Sequence, residues 1–338
     1  GVQTCALPIS TIIMKKFLLS LFVALIAIAS VQAQQISVVS PGGATTLHRT
    51  FQEAINGADP GSVIYLPGGG FSISDDVKIT KKLTIIGIGH YVKSGNVDGV
   101  TTISGNLWFY EGSSGSAVMG CYITGNVYIG DGGASVNDVL IRYCNLNSVQ
   151  VKNNTCQDTR INQNYLRNTS WFNGANAIVT NNIAHSIYNL NNGEISNNII
   201  LSVTSPNGST SRTPLDDCSR SIITCNILVN LGNDRSGNNL QTSGNMSKSG
   251  WGDDYIKIGD VDWNDVFANW NNGSISPSSD FHFKETYKQY ENQVGIYAGT
   301  GFNDQQMAPV PFIVAKHVDE QTDSSGKLNV KIRVKANQ

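Results

Sequence analysis

The sequence predicts an all-β fold, a right-handed parallel β-helix solenoid with an N-terminal helical cap and C-terminal cap strands. Three observations carry this reading. Asparagine is dense in the middle of the chain, 24 of the 109 residues from Asn137 to Asn245. Those asparagines fall in a fixed frame with apolar residues. The frame recurs at a step that suits one coil of a solenoid.

The frame reads apolar-x-x-slot-x-apolar. Val118 to Ile123 carries Cys121 in the slot, and Ile141 to Leu146 carries Cys144. Asn164, Asn182, Asn198 and Asn226 fill the slots of the next four copies, and Asn245 that of a degenerate last one. The slots are 23, 20, 18, 16, 28 and 19 residues apart. Each step suits two or three short strands with tight turns, returning the chain one strand spacing, about 4.8 Å, higher. Alternate side chains should point inward as aliphatic stacks. A slot amide has both donors and an acceptor, so it can bond to backbone and to the amide in the next coil. Cysteine fills the same slot as a small apolar substitute. Crossover chirality favours the right-handed coil. A leucine-rich repeat would need a second apolar residue two before the first. Those positions hold Ser116, Val139, Thr159, Ala177, Gly193 and Ser221, which fail that test in five of six copies.

The ends frame the domain. Residues 1–13 fit no structural pattern and read as a translated sequencing adaptor. Met14, Lys15 and Lys16, the apolar run Phe17 to Ala29 and the small-residue site Val31-Gln32-Ala33 read as a signal peptide over 14–33. The run is short against the ~20 residues of a membrane span. The β-helix is expected over 34–305 and a tail of cap strands over 306–338, closing with Leu328 to Val334. At the start, Leu47, Phe51, Ala54 and Ile55 lie at helical spacing with Asn56-Gly57 as the stop. Strands are expected at Val63 to Leu66, Phe71 to Ile73, Val77 to Ile79 and Leu83 to Ile86.

Charge and cysteine usage exclude some classes. Removing Lys15 and Lys16 leaves 21 basic (23 − 2) and 25 acidic residues, a net charge of −4. Nucleic acid is a poor partner for such a surface, and no membrane partner is expected after signal cleavage. Cys121, Cys144, Cys156, Cys218 and Cys225 make an odd set without CxxC spacing, a poor disulfide framework and a poor zinc site, so most are expected as free thiols buried in the core.

The cap and first coils, TLHRTFQEAINGADPGSVIYLPGGGFSI through KKLTIIGIG, resemble those of the pectate-lyase-like β-helix superfamily. GIGHYV, EGSSGSAVMGCYITGNV, DVFANW, VGIYAGTGF and MAPVPFI extend the resemblance across the chain to secreted β-helix proteins of Bacteroidota. The resemblance implies a secreted, periplasmic or cell-surface protein of a Gram-negative bacterium. Lyases of that superfamily use calcium-binding carboxylates and an Arg or Lys base. Here Asp138, Asp158 and Glu194 are the only acids between Ala134 and Leu215, so that groove is not expected. Arg160, Arg167, Arg212 and Arg220 read as solvated coil faces rather than bases. Asp216-Asp217 and Gly89-His90 occur in the wrong order for a polygalacturonase pair. Asp253, Asp254, Asp260, Asp262 and Asp265 could converge on calcium, but no motif supports it, and no cofactor is expected.

The expected function is therefore a non-catalytic glycan- or surface-binding β-helix. The alternative is a polysaccharide lyase or glycoside hydrolase with an unfamiliar site. The 28-residue step carries an insertion, Ser202 to Asp217, rich in Ser, Pro and Gly and expected to be an exposed loop. Candidate ligand-binding residues are Arg212, Asp216 and Asp217 on that loop, Arg220 just after it, and Trp171, placed in a loop two slots earlier.

Overall fold

The computed structural model describes residues 35–73, 77–91, 99–131, 133–201, 214–229, 237–249, 255–270, 275–303, 311–319, 321–322 and 325–336. The stretch 1–13 and the expected leader 14–33 lie outside them, as do residues 202–213 with Arg212, and Asp253 and Asp254. No helix among the described residues is long and apolar enough to cross a membrane.

The chain folds as a parallel β-helix. A typical coil has three strands, Leu140–Arg142, Asn145–Leu146 and Val149–Val151, and the next repeats them as Thr159–Asn162, Tyr165–Leu166 and Ser170–Trp171. Stacking yields sheets of eleven, ten and seven strands. Register is kept from coil to coil, with Ile141 on Ile161 and Leu146 on Leu166. The strands are so short because the chain must turn a corner every few residues. Left-handed residues make one of those corners, directly before each slot: Gly120, Tyr143, Gln163, Asn181, Asn197, Cys225 and Gly244 all have positive φ. Glycine and asparagine reach that conformation most easily, and this partly explains the Asn-Asn pairs at 181–182 and 197–198.

The first strand, Ile36–Val39, pairs antiparallel with both Thr45–His48 and Val63–Leu66. The cap helix is shorter than the spacing predicts. It spans Phe51–Gly57 and buries Phe51, Ala54 and Ile55. Thr50 caps it, its hydroxyl accepting from Glu53 N while the Glu53 carboxylate accepts from Thr50 N. Backbone donors at Thr50 and Arg49 hold the Glu53 carboxyl below its ordinary range. Leu47, expected on the helix face, lies instead in the strand Thr45–His48 and is exposed. The capping box fixes the helix start after Thr50, so Leu47 cannot join its face.

Inside the coil run aliphatic columns such as Val118, Ile141, Ile161, Val179, Ile195 and Ile223, all fully buried. Beside them the slots form one ladder. Nδ2 of Asn164, Asn182, Asn198 and Asn226 each donates to Oδ1 of the next asparagine, ending at Asn245, at 2.9–3.0 Å. The same Oδ1 atoms accept the backbone N–H of the slot before them, and Asn164 Oδ1 likewise accepts from Cys144 N. Cys121, Cys144, Cys156 and Cys218 are buried, free thiols. Cys225 is not a core residue: it holds the left-handed corner before Asn226 and is partly exposed.

A second core lies outside the coil. The residue after each slot points outward from the ten-stranded sheet, and from Tyr165 on it is apolar: Ile183, Ile199, Ile227 and Met246. After the last coil the chain folds back over this column. A short helix, Trp263–Val266, leads into the antiparallel pair Phe267–Asn269 and Asp280–Phe283. Trp263, Phe267, Trp270, Phe281 and Phe283 bury their rings against the column, and Val294 and Ile296 join them. The returning backbone is pinned to the corner: Asn181 Nδ2 donates to the Ile296 and Ala298 carbonyls, and Asn303 N to Gln163 Oε1. Within 306–338, Pro311–Val318 and Val330–Ala336 form an antiparallel hairpin, in which Val318, Val330, Ile332 and Val334 are exposed.

Candidate functional site

The outer face of the seven-stranded sheet carries one residue per coil in a continuous column. Lys78, Trp108, Tyr128, Gln150, Trp171, Tyr188 and Asp216 are successive register partners. They face outward because their strand neighbours face in: Leu107 and Phe109 flank Trp108, Val127 and Ile129 flank Tyr128, and Ser170 and Phe172 flank Trp171, all fully buried. Six strand spacings make the column roughly 29 Å long.

The rings form two groups. Trp108 stacks on Tyr128 with centroids 3.9 Å apart, and Tyr110 extends this group at 5.8 Å. The Lys152 ammonium sits 4.5 Å from the Tyr128 centroid and 5.9 Å from that of Trp108, and the Lys78 ammonium 5.4 Å from that of Tyr110. In the second group Trp171 meets Tyr188 edge to face at 4.5 Å, and 38% of Trp171 remains exposed. Gln150 separates the groups, its amide donating to Ser148 Oγ and the Thr169 carbonyl.

Of the sequence candidates, the structure brings Trp171 and Asp216 onto this column, with Tyr188 between them. Trp171 stands in the strand Ser170–Trp171, not in a loop, because its buried neighbours Ser170 and Phe172 fix the alternation. Asp217 and Arg220 do not join the column. Both occupy left-handed corner positions at φ 50° and 52°, and Arg220 Nε donates to Asn192 Oδ1 at 3.0 Å. Arg212 lies outside the described residues. Tyr110, Tyr128, Tyr188 and the two lysines escaped the sequence reading. Their signal is an aromatic between two inward residues on the third strand of a coil, in Leu107-Trp108-Phe109 and Val127-Tyr128-Ile129.

The other groups weighed for chemistry are engaged in structure. Arg160 pairs with Asp138. Arg167 donates to Tyr122 Oη and to the Ile123 and Thr124 carbonyls. His90 is buried, and that burial pushes its imidazole down to about 3. Asp262 caps the helix Trp263–Val266 and Asp260 lies 3.5 Å from Lys248. Among the described residues no group of three His, Cys, Asp or Glu side chains is placed to hold a metal ion. A column of rings with flanking cations and amides can bind and orient a ligand, but it presents no paired acid and base. No family model matches the chain, and no curated protein or solved structure matches it either.

Proposed function

We propose that the protein is an exported β-helix that binds a glycan chain along the outer face of its seven-stranded sheet. The observation that carries this reading is the pair of aromatic groups, Trp108–Tyr128 and Trp171–Tyr188, on one column. An amphipathic ring offers a large rigid contact surface, and the C–H face of a sugar ring is its natural complement. Trp108 and Trp171 are three strands apart, roughly 14 Å, so a chain of several sugars could engage both groups. Gln150 and Asp216 lie on the same line to meet hydroxyls. Export follows from the leader-like 14–33, and kinship with the pectate-lyase-like superfamily and with Bacteroidota proteins from the motifs quoted above. The corresponding test is a glycan array, run beside an absorbance assay for unsaturated uronates. Binding to a polysaccharide without product release supports the proposal. Product release would favour a lyase, and an array with no bound glycan would refute the binding role.

A further inference from the structure

The back-folded segment leaves a cavity of about 300 Å³ between itself and the ten-stranded sheet. Its lining residues include Tyr91, Tyr165, Tyr297 and Phe302, together with Asp280. Phe302 meets Tyr165 edge to face at 5.8 Å. Tyr297 is held by stacking on His282 at 3.9 Å, and His282 Nδ1 lies 2.7 Å from Asp280 Oδ1. Among the described residues no lysine or arginine lines the cavity. Ring faces carry a negative quadrupole, so aromatic residues gathered beside an acidic one favour a cation over a neutral or anionic guest.

We propose that this cavity binds a small organic ammonium group, caged by the rings and countered by Asp280. Its size sits at the lower end of the ~300–1,000 Å³ of small-ligand sites. Two buried polar groups lie next to Tyr165, outside the cavity lining. The His90 ring packs edge to face on Tyr165 at 5.5 Å, and neither of its nitrogens has a hydrogen-bond partner. Burial keeps that imidazole neutral, so one nitrogen is a bare acceptor. Asn145, the register neighbour of Tyr165, buries an Oδ1 without a partner. The site stands apart from the aromatic column: Tyr165 belongs to the ten-stranded sheet and Trp171 to the seven-stranded one.

Calorimetric titration of the full chain tests this. The probes are choline, tetramethylammonium, the neutral isostere 3,3-dimethylbutan-1-ol, and glucose. The expected result is binding of both cations and about tenfold weaker binding of the neutral isostere. Asp280→Asn and Phe302→Ala should each weaken choline binding about tenfold. Asp280 is exposed, so Asp280→Asn should keep the wild-type melting temperature and decides the matter alone if Phe302→Ala does not fold. Equal affinity for the neutral isostere, preference for glucose, no heat from either cation, or unchanged choline affinity in Asp280→Asn would each overturn the proposal.

Discussion

Asn182 is bonded on both sides of the ladder: its Oδ1 accepts from Asn164 Nδ2 and its Nδ2 donates to Asn198 Oδ1, both at 3.0 Å. That Oδ1 also takes Asn164 N, and the Nδ2 reaches the Ile161 carbonyl. Asn182→Ala therefore strands several fully buried groups in adjacent coils. We predict a loss of about 3 kcal/mol, the upper end of the cost of leaving a buried partner unpaired. Asn245 ends the ladder, so Asn245→Ala should cost less. Urea denaturation of the two variants checks the order, and equal losses would contradict it.

Gly87 lies beside the start of the slot column, against Gly120 and Cys121. A Cβ there would come within 2.4 Å of the Gly120 carbonyl oxygen and 2.8 Å of Cys121 Sγ. The oxygen is backbone and cannot rotate away. Gly87→Ala should cost about 1–3 kcal/mol through overpacking. A melting temperature equal to wild type would show that the first coil adjusts freely.

Burial pushes the thiols of Cys144 and Cys218 up to about 12 from an ordinary 9.0, and that of Cys121 well above it. In the unfolded chain these thiols lose their protons nearer 9.0, so above that pH the folded state holds more protons. Stability is then full below about pH 9 and falls as pH rises toward 12. Denaturation midpoints across that range should decline, and Cys144→Ala should flatten the decline. At neutral pH a thiol reagent should label these three residues only after denaturant is added. Rapid labelling of the native protein would contradict their burial.

Phe267 packs against Trp263, Phe281 and Phe283 with ring centroids 5.3–5.7 Å apart and is fully buried. Phe267→Ala should cost about 3–5 kcal/mol. It should also loosen the cover over Ile183, Ile199 and Ile227, so the variant should bind a hydrophobic dye more than wild type does. Dye fluorescence unchanged from wild type would mean the cover is held by other contacts.

The coil was legible because its signal is local and repeated. One slot residue and two apolar positions per turn recur from Val118 to Leu228, and the structure buries those apolar positions. The cover over the ten-stranded sheet was harder to see. Its trace is the residue after each slot, which changes from Tyr122 and Asn145 to Ile183, Ile199 and Ile227. An outward apolar column implies a partner layer, but that layer comes from residues some forty to a hundred positions later, which no local period connects. The cap helix was mis-set by Leu47 because spacing alone cannot distinguish an apolar strand residue from a helix face, whereas the Thr50–Glu53 box can. Tyr128 and Tyr188 were hidden for another reason. The slot frame covers the first two strands of each coil, and the third strand floats behind corners of variable length. Only stacking shows that Trp108, Tyr128, Trp171 and Tyr188 share one line.

The most direct test of the account is a titration of the polysaccharide selected by the glycan array against wild type and the double variant Trp108→Ala/Trp171→Ala. Both rings face outward and are at least partly exposed, so the variant should melt within a few degrees of wild type. Loss of one ring from each aromatic group should weaken binding by about tenfold or more, with Asp217→Ala leaving affinity unchanged. Full affinity in the folded double variant would contradict a glycan site on this face.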